Sequence, residues 1–545
     1  MVKRYIVLAV LLGLTGVGLY IRVHGLSAYY YSPDEAIELW MSGQDTISEA
    51  WQLGLREPHP PLRYIILHCM QAVSHDRLFL RMFALAPGLG LIWIFFALGR
   101  RVSGTAAGLA MAGMATFGFG AVLVSDVARV YPLAACFQSA ALYYWVSYLD
   151  EGQSRRLWAF SVCAILMMGT VYIQAIVIAA IYGGWLIFLI ARKKPARDFR
   201  NLFLTALPLG ATVIFLYFLH LRHIFSTARF ANPVKPWIAP FFFHDLSGFA
   251  ANIHDLFGYL FLPPIAALTL VLALSGLAAL CRQSRWVVTI VILLTLGLNI
   301  VLTLAGKFSL GGIRHSFHFF PFFALAIGAS IQYAYDLAEK QLAARLAGAT
   351  LRRLSIAAPA MAMVIFIAAT FLVTRYYSRS DYLRRYSSKS WTELPLLTHD
   401  YQMGMYELLG HLRPGDVIFA SYQTIIYLEL ETNPKWTAVS EDLSKINYRG
   451  YDWYFLTFEG AAGGWGIPPS ETLRSLLQSL VKITAAPPTG RVWIVNLGWE
   501  GQINYMTTDA FWVSRLQVKA EAPGVGLYLV PASSLWPEPP MLGAP

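Results

Sequence analysis

The sequence predicts a polytopic α-helical membrane protein of about eleven transmembrane helices, followed by a soluble α/β domain. Three observations carry this. Of the 545 residues, 57% are hydrophobic and only 13% charged, about half the charged share of an ordinary soluble protein. The 14% aromatic share suits a chain with many interfacial Trp and Tyr. The charge is also uneven: residues 1–374 hold 28 basic and 15 acidic side chains, residues 375–545 hold 14 and 16. The net +11 therefore belongs to the membrane part, where it reads as topology and lipid contact and not as a nucleic-acid surface.

The N-terminal run "MVKRYIVLAVLLGLTGVGLY" has a basic start and an apolar core. No small-x-small cleavage site follows, so it is expected to stay as a signal anchor. A span needs about 20 apolar residues. Eleven stretches qualify: 5–22, 78–98, 105–125, 131–149, 157–173, 174–191, 201–221, 258–280, 286–306, 317–337 and 354–374. The fifth and sixth divide one long run, 157–191. With Met1 inside, every inner segment is basic and 17 basic residues fall on that side, Arg100, Arg101, Arg155, Arg156, Arg282 and Arg285 among them. That is the positive-inside pattern. It places loops 23–77, 126–130, 222–257 and 307–316 outside, together with all of 375–545.

Residues 375–545 change character. "MYELLGHLRPGDVIFASY" reads as helix, turn and buried strand, while "YDWYFLTF", "RVWIVNLGW" and "GVGLYLVPA" read as strands. "SETLRSLLQSLVK" has helical periodicity. A small α/β domain is expected, with no catalytic motif. The four cysteines, Cys69, Cys136, Cys163 and Cys281, all precede it, so it has no internal disulfide, and no CxxC or Cys/His metal spacing occurs.

The first outer loop holds the most informative stretch, "YYYSPDEAIELW". Ser32 as N-cap, Pro33 at the first helical position and Glu35 two residues on form a capping box. Asp34 and Glu35 both suit the positive end of the helix dipole. The same loop continues with "REPHPPLRYIILH", which brings Arg56, His59 and Arg63 around a Pro-Pro pair and leads into a short surface helix. A turn histidine and interfacial arginines are the plain structural reading. Loop 126–130 adds Asp126 and Arg129. "GKFSLGGIRHSFHFFP" adds Lys307, Arg314, His315 and His318, the last inside the membrane boundary, where an ionisable residue suggests function. The His-Asp pairs at 244–245 and 254–255 have no metal-ligand spacing.

Carboxylates and cations thus gather on one side of the membrane. Cations there can hold a lipid-linked phosphate as leaving group, and a carboxylate can take the proton of an attacking hydroxyl. Sugar transfer from a lipid phosphate needs both.

The order Asp34-Glu35, then His59-Pro60-Pro61-Leu62, then Ala128-Arg129-Val130-Tyr131, then Arg314-His315 before an apolar helix with Pro321 resembles the GT-C superfamily of membrane glycosyltransferases. Within it, "SPDEA" and "HPPLRYIILH" look like the protein O-mannosyltransferase and aminoarabinose-transferase branch. The resemblance covers 1–374 by layout, as the catalytic domain, and 375–545 only in the presence of an extracytoplasmic domain. It implies Asp34 as catalytic base, with Glu35 holding the acceptor or the loop. It implies His59, Arg63, Arg129 and Arg314 as donor-phosphate contacts, with Asp126, His315 and Lys307 as further candidates. One departure stands out: where O-mannosyltransferases carry Lys two residues after Pro-Pro-Leu, this chain has Tyr64, with Arg63 just before it. No MIR-type β-trefoil insertion occurs, which favours a bacterial member in the cytoplasmic membrane, N-terminus inside.

The implied reaction is a single inverting displacement that moves a hexosyl or pentosyl group from a polyprenyl-phosphate donor to an envelope lipid, glycan or protein. No cofactor is expected; a divalent metal is possible in such enzymes and is not predicted here. The alternatives are a transporter or flippase for a lipid-linked glycan, which would show inverted repeats, and a non-catalytic subunit of an envelope assembly machine.

Overall fold

The structure, a computed structural model, describes residues 2–23, 31, 33–55, 57, 59–222, 224, 241–345, 407–420, 424, 437–438, 443–456, 470–484, 490–497, 518–522 and 525–535. The chain folds into two compact units, residues 1–26 with 42–386 and residues 27–41 with 387–545. The segment 27–41, expected with the membrane part, groups with the second unit. The expected boundary at 374/375 and the span 354–374 lie outside the described residues.

Helices are numbered along the chain. α1 is Val2–Val23 and α2 is Pro33–Ser42. Two short helices follow in the first loop, α3 (Ile47–Gly54) and α4 (Leu62–Gln71). Then come α5 (Arg77–Val102), α6 (Thr105–Phe117), α7 (Phe119–Ser125), α8 (Tyr131–Glu151), α9 (Ser154–Met168) and α10 (Gln174–Ala191). The unit continues through α11 (Ala196–Leu216), α12 (Leu246–Leu260), α13 (Ala266–Arg282), α14 (Trp286–Leu304) and α15 (Phe320–Arg345). Seven described helices are long and apolar enough to cross a membrane, eight if α6 and α7 form one bent span. This is a multi-pass membrane protein, with fewer such helices described than the eleven predicted. α8 has 21 residues but is rich in Tyr and other polar groups, and α9 has only 15.

The predicted span 105–125 is broken at Gly118 by a bend of 53°. A break inside a membrane exposes carbonyls on one side and N–H groups on the other, and each must find a partner. Arg22 of α1 supplies donors for the carbonyls: its guanidinium donates to Ala115 O at 2.8 Å and Thr116 O at 3.1 Å. A cation also suits the negative end of the α6 dipole. On the other side, Phe119 N–H donates to Phe261 O at 2.7 Å. Only glycine fits between, because a Cβ on Gly118 would stand 2.6 Å from Met114 O and 3.0 Å from Leu260 O. The opposite end of α6 is capped from outside as well, Gln332 Oε1 of α15 accepting from Ala106 and Ala107 N–H at 2.9 and 3.3 Å. Arg22→Leu is therefore expected to cost about 3 kcal/mol, since two charge-assisted bonds are lost and two buried carbonyls are stranded. A thermal scan in detergent checks this, and an unchanged midpoint contradicts it.

Backbones elsewhere approach through small residues, as membrane helices do. A Cβ on Gly276 of α13 would meet Ala326 O of α15 at 1.8 Å, and one on Gly108 of α6 would meet Phe96 O of α5 at 2.6 Å. The helix ends that the charge pattern assigns to the inner side share an ion cluster. Asp150 pairs with Arg285 and with Arg101 Nε at 3.1 Å, and Arg101 also reaches Glu151 at 2.7 Å.

The second unit contains a seven-stranded sheet. Its strands are β1 (Val417–Ala420), β2 (Thr437–Ala438), β3 (Leu443–Tyr448), β4 (Tyr451–Leu456), β5 (Arg491–Leu497), β6 (Val518–Ala522) and β7 (Val525–Pro531). The order is β2-β3-β4-β1-β5-β7-β6. Only the central β1 runs parallel to both neighbours, with Ile418 opposite Trp453 and Trp493. Burial of all four β1 residues fits a parallel core covered on both faces. α16 (Ser470–Ile483) lays Leu473, Leu477 and Leu480, one helical stripe, on the face carrying Val417, Phe419, Val492 and Ile494. Helix, strand and sheet content here match the α/β reading.

Candidate active site

α4 begins directly after the Pro60-Pro61 pair, with Pro61 as N-cap. Its other end is tied down by Ser42: Gln71 Nε2 donates to Ser42 Oγ at 2.8 Å, and His68 Nδ1 lies 2.9 Å from Ser42 O. α3 is fixed by a capping box, Thr46 Oγ1 accepting from Glu49 N–H at 3.2 Å while Glu49 Oε2 accepts from Thr46 N–H at 3.1 Å. α3 and α4 pack closely, for a Cβ on Gly54 would lie 2.5 Å from the Tyr64 ring. Tyr64 is fully buried in this packing, and it holds Arg63. The guanidinium sits 4.6 Å over the ring and donates to Tyr64 Oη at 2.5 Å. Arg63 and Tyr64 thus form a paired unit, with Arg63 only 2% exposed.

His59 shows what surrounds Arg63. Its imidazole is held well below the usual histidine range, first by burial and then by the positive charges of Arg63, Arg129, His315 and Arg314. Four predicted residues from three separate loops therefore converge on a fifth. Burial and these charges favour its neutral form. Arg129 and Arg314 are 5% and 7% exposed. Arginines at this depth form stronger charge-assisted bonds to an anion than they would in water.

A second layer stands behind His315. Arg129 lies 5.9 Å from the Tyr131 ring, and Tyr131 meets His315 edge-on at 6.2 Å. His318 Nδ1 donates to His315 O at 3.0 Å, Gln138 Nε2 donates to His318 O at 2.8 Å, and Gln174 Nε2 donates to Gln138 Oε1 at 3.2 Å. This relay fixes the loop after α14 against α8 and α10. Gln138 and Gln174 were not singled out in the sequence, although each is an amide inside a strongly apolar run, which was the available signal.

The remaining candidates are placed as follows. Asp34 and Glu35 lie in the first turn of α2, as predicted, and both are buried. Ser32, the predicted cap, is outside the described residues. Glu38, which sequence reading passed over, is buried too. It follows Asp34 by four residues, so the two share one helix face. Asp126 caps the end of α7 and is half-buried. Lys307 is exposed on the turn after α14. Asp245 is a helix N-cap, accepting from Gly248 N–H at 2.6 Å. Among the described residues, no group of three or more His, Cys, Asp or Glu side chains is placed to hold a metal ion.

No protein-family model matches the chain, and no curated protein matches its sequence. Solved structures do. The oligosaccharyltransferase of Archaeoglobus fulgidus in the apo form is 11% identical, with a TM-score of 0.50 over 94% of this chain and 71% of that one. ArnT from Cupriavidus metallidurans in the apo state is 12% identical, with a TM-score of 0.48 over 97% of this chain and 99% of that one. The same protein bound to undecaprenyl phosphate gives the same figures. The first of these likenesses shows the fold: the chain shares the membrane architecture of that solved structure.

Proposed function

We propose that the protein is a glycosyltransferase that moves a hexosyl or pentosyl group from a polyprenyl-phosphate donor to an envelope lipid, glycan or protein, on the outer face of a bacterial cytoplasmic membrane. The convergence of Arg63, Arg129, Arg314 and His315 on His59 carries this reading, because a buried cation cluster suits a phosphate leaving group. In this reading residues 1–374 are the catalytic domain and 375–545 are extracytoplasmic.

The acceptor hydroxyl gives its proton to the Asp34 carboxylate, its oxygen bonds to the sugar C1, and the bond from C1 to the phosphate oxygen breaks. Polyprenyl phosphate leaves with the electron pair, its charge met by the arginines. The base role of Asp34 rests on the resemblance and on its place at a helix start, where the dipole favours a negative charge. Broken helices also occur in transporters, but at the Gly118 break Ala115 O, Thr116 O and Phe119 N–H are already taken by Arg22 and Phe261 O.

The test is transfer by protein reconstituted in liposomes, given undecaprenyl-phosphate mannose or glucose. Release of undecaprenyl phosphate together with a glycosylated acceptor is expected. Donor crossing the bilayer without release points to a flippase, and neither outcome points to an assembly subunit.

His59 adds a pH signature. A bound phosphate offsets the positive charges around it, though not its burial, so its pKa rises on binding and the complex takes up a proton at mildly acidic pH. Calorimetry of undecaprenyl phosphate binding, in buffers of different ionisation enthalpy, should show this uptake in wild type and less of it in His59→Gln. Equal uptake in both removes His59 from the phosphate site.

A further inference from the structure

We infer that a recess beside the cation cluster, lined by Tyr131, Gln174, His315 and His318, receives a hydroxyl of the transferred sugar, and that this sugar is neutral. The inference rests on the glycosyltransferase reading above.

The recess is also walled by Val171 and Phe317 and has room for about one water-sized group. Three of its lining side chains carry a polar atom with no hydrogen-bond partner among the described residues: Tyr131 Oη, Gln174 Oε1 and His318 Nε2. These residues are 4%, 2% and 3% exposed. Leaving such atoms unsatisfied is costly, so the recess is built for a polar visitor.

The relay described above fixes what that visitor must offer. Gln174 spends its amide N–H on Gln138, so the free atom is a carbonyl oxygen, an acceptor. His318 spends its Nδ1 proton on His315 O. A second proton on the buried Nε2 would be an unpaired charge, so Nε2 is a lone pair, again an acceptor. Tyr131 Oη can donate or accept. Two acceptors and one amphoteric hydroxyl do not suit a phosphate oxygen, which only accepts. They suit a hydroxyl, which donates to one acceptor and accepts from Tyr131.

His315 belongs both to the recess and to the cluster around His59. If the cluster holds the phosphate, the group next along the donor is the sugar, and the recess meets the sugar and not the prenyl chain. An ammonium group could also donate to Gln174 and His318. It would be a buried charge with no carboxylate among the residues that line the recess. A hydroxyl carries no such penalty.

The experiment measures binding of undecaprenyl phosphate and of its mannosyl, glucosyl and 4-amino-4-deoxyarabinosyl derivatives to wild type, Tyr131→Phe and Gln174→Met. Tyr131→Phe removes a single atom and leaves the packing in place. Each variant should weaken the preferred glycosyl donor about tenfold while changing bare undecaprenyl phosphate less than about twofold. One monodeoxy analogue of that donor should lose the same factor in wild type and nothing more in the variants. Equal losses with and without the sugar, no loss at all, fully additive losses, or preference for the amino-sugar donor each overturn the inference. Wild-type protein that binds no prenyl phosphate overturns the proposed function and this inference with it.

Discussion

Asp34→Asn is expected to lower transfer by about a thousandfold while donor binding stays within a few-fold of wild type. Asparagine keeps the size of the side chain and its place in the first turn of α2, so the local fold is preserved. It loses only basicity. General-base catalysis is worth roughly 10²–10⁴ in rate, and no neighbouring water replaces a base in a buried position, for Asp34 is 7% exposed. The prediction has an internal rival. Glu38 lies one turn further along the same face and is 1% exposed, so Glu38→Gln must be measured beside it. Glu35 is rotated about 100° from Asp34 around the helix, and Glu35→Gln should affect stability or acceptor KM more than kcat. Steady-state kinetics in liposomes at saturating donor separates the three. Near-full turnover in Asp34→Asn with collapse in Glu38→Gln would move the base by one helical turn.

Much of this was legible in the sequence because its signals are local. The start of α2 at Pro33 follows from dipole and capping preferences, and β1, β4, β5 and β7 follow from short runs of β-branched and aromatic residues. β3 was not read. It joins β4 through Arg449-Gly450, both at positive φ (51° and 84°), and an Arg at the first hairpin position is not a usual signal. The break in span 105–125 was missed for a different reason. A glycine in an apolar run is unremarkable until Arg22, 93 and 94 residues away from its two acceptors, is known to reach them. The same holds at the site. Arg63, Arg129, Arg314 and His315 were each picked out by residue type and loop, yet their meeting around His59 is a tertiary fact. Lys307 met the same criteria and is exposed. Charge and topology nominate residues; only packing tells which of them are buried together.

That contrast makes the second large prediction. Arg129→Gln and Arg314→Gln should each weaken undecaprenyl-phosphate binding by about thirtyfold to a hundredfold, whereas Lys307→Gln should change it less than about twofold. Removing one partner of a buried, charge-assisted contact costs roughly 2–5 kcal/mol, and an exposed cation contributes little and is screened by salt. The two arginines act on one anion, so the double variant should fall short of the product of the single losses. Salt sharpens the distinction: raising ionic strength from about 0.05 to about 0.5 M should leave the ratio between wild type and Arg314→Gln nearly constant, because protein shields that contact from mobile ions. Arg63 is held differently, by Tyr64. Tyr64→Phe should therefore reproduce part of the Arg63→Gln defect without removing any charge, since the guanidinium loses its anchor and must be ordered by the ligand itself. Equilibrium binding to protein in nanodiscs gives all of these constants. A Lys307→Gln loss as large as that of Arg314→Gln would mean that the phosphate binds elsewhere than at the cluster around His59.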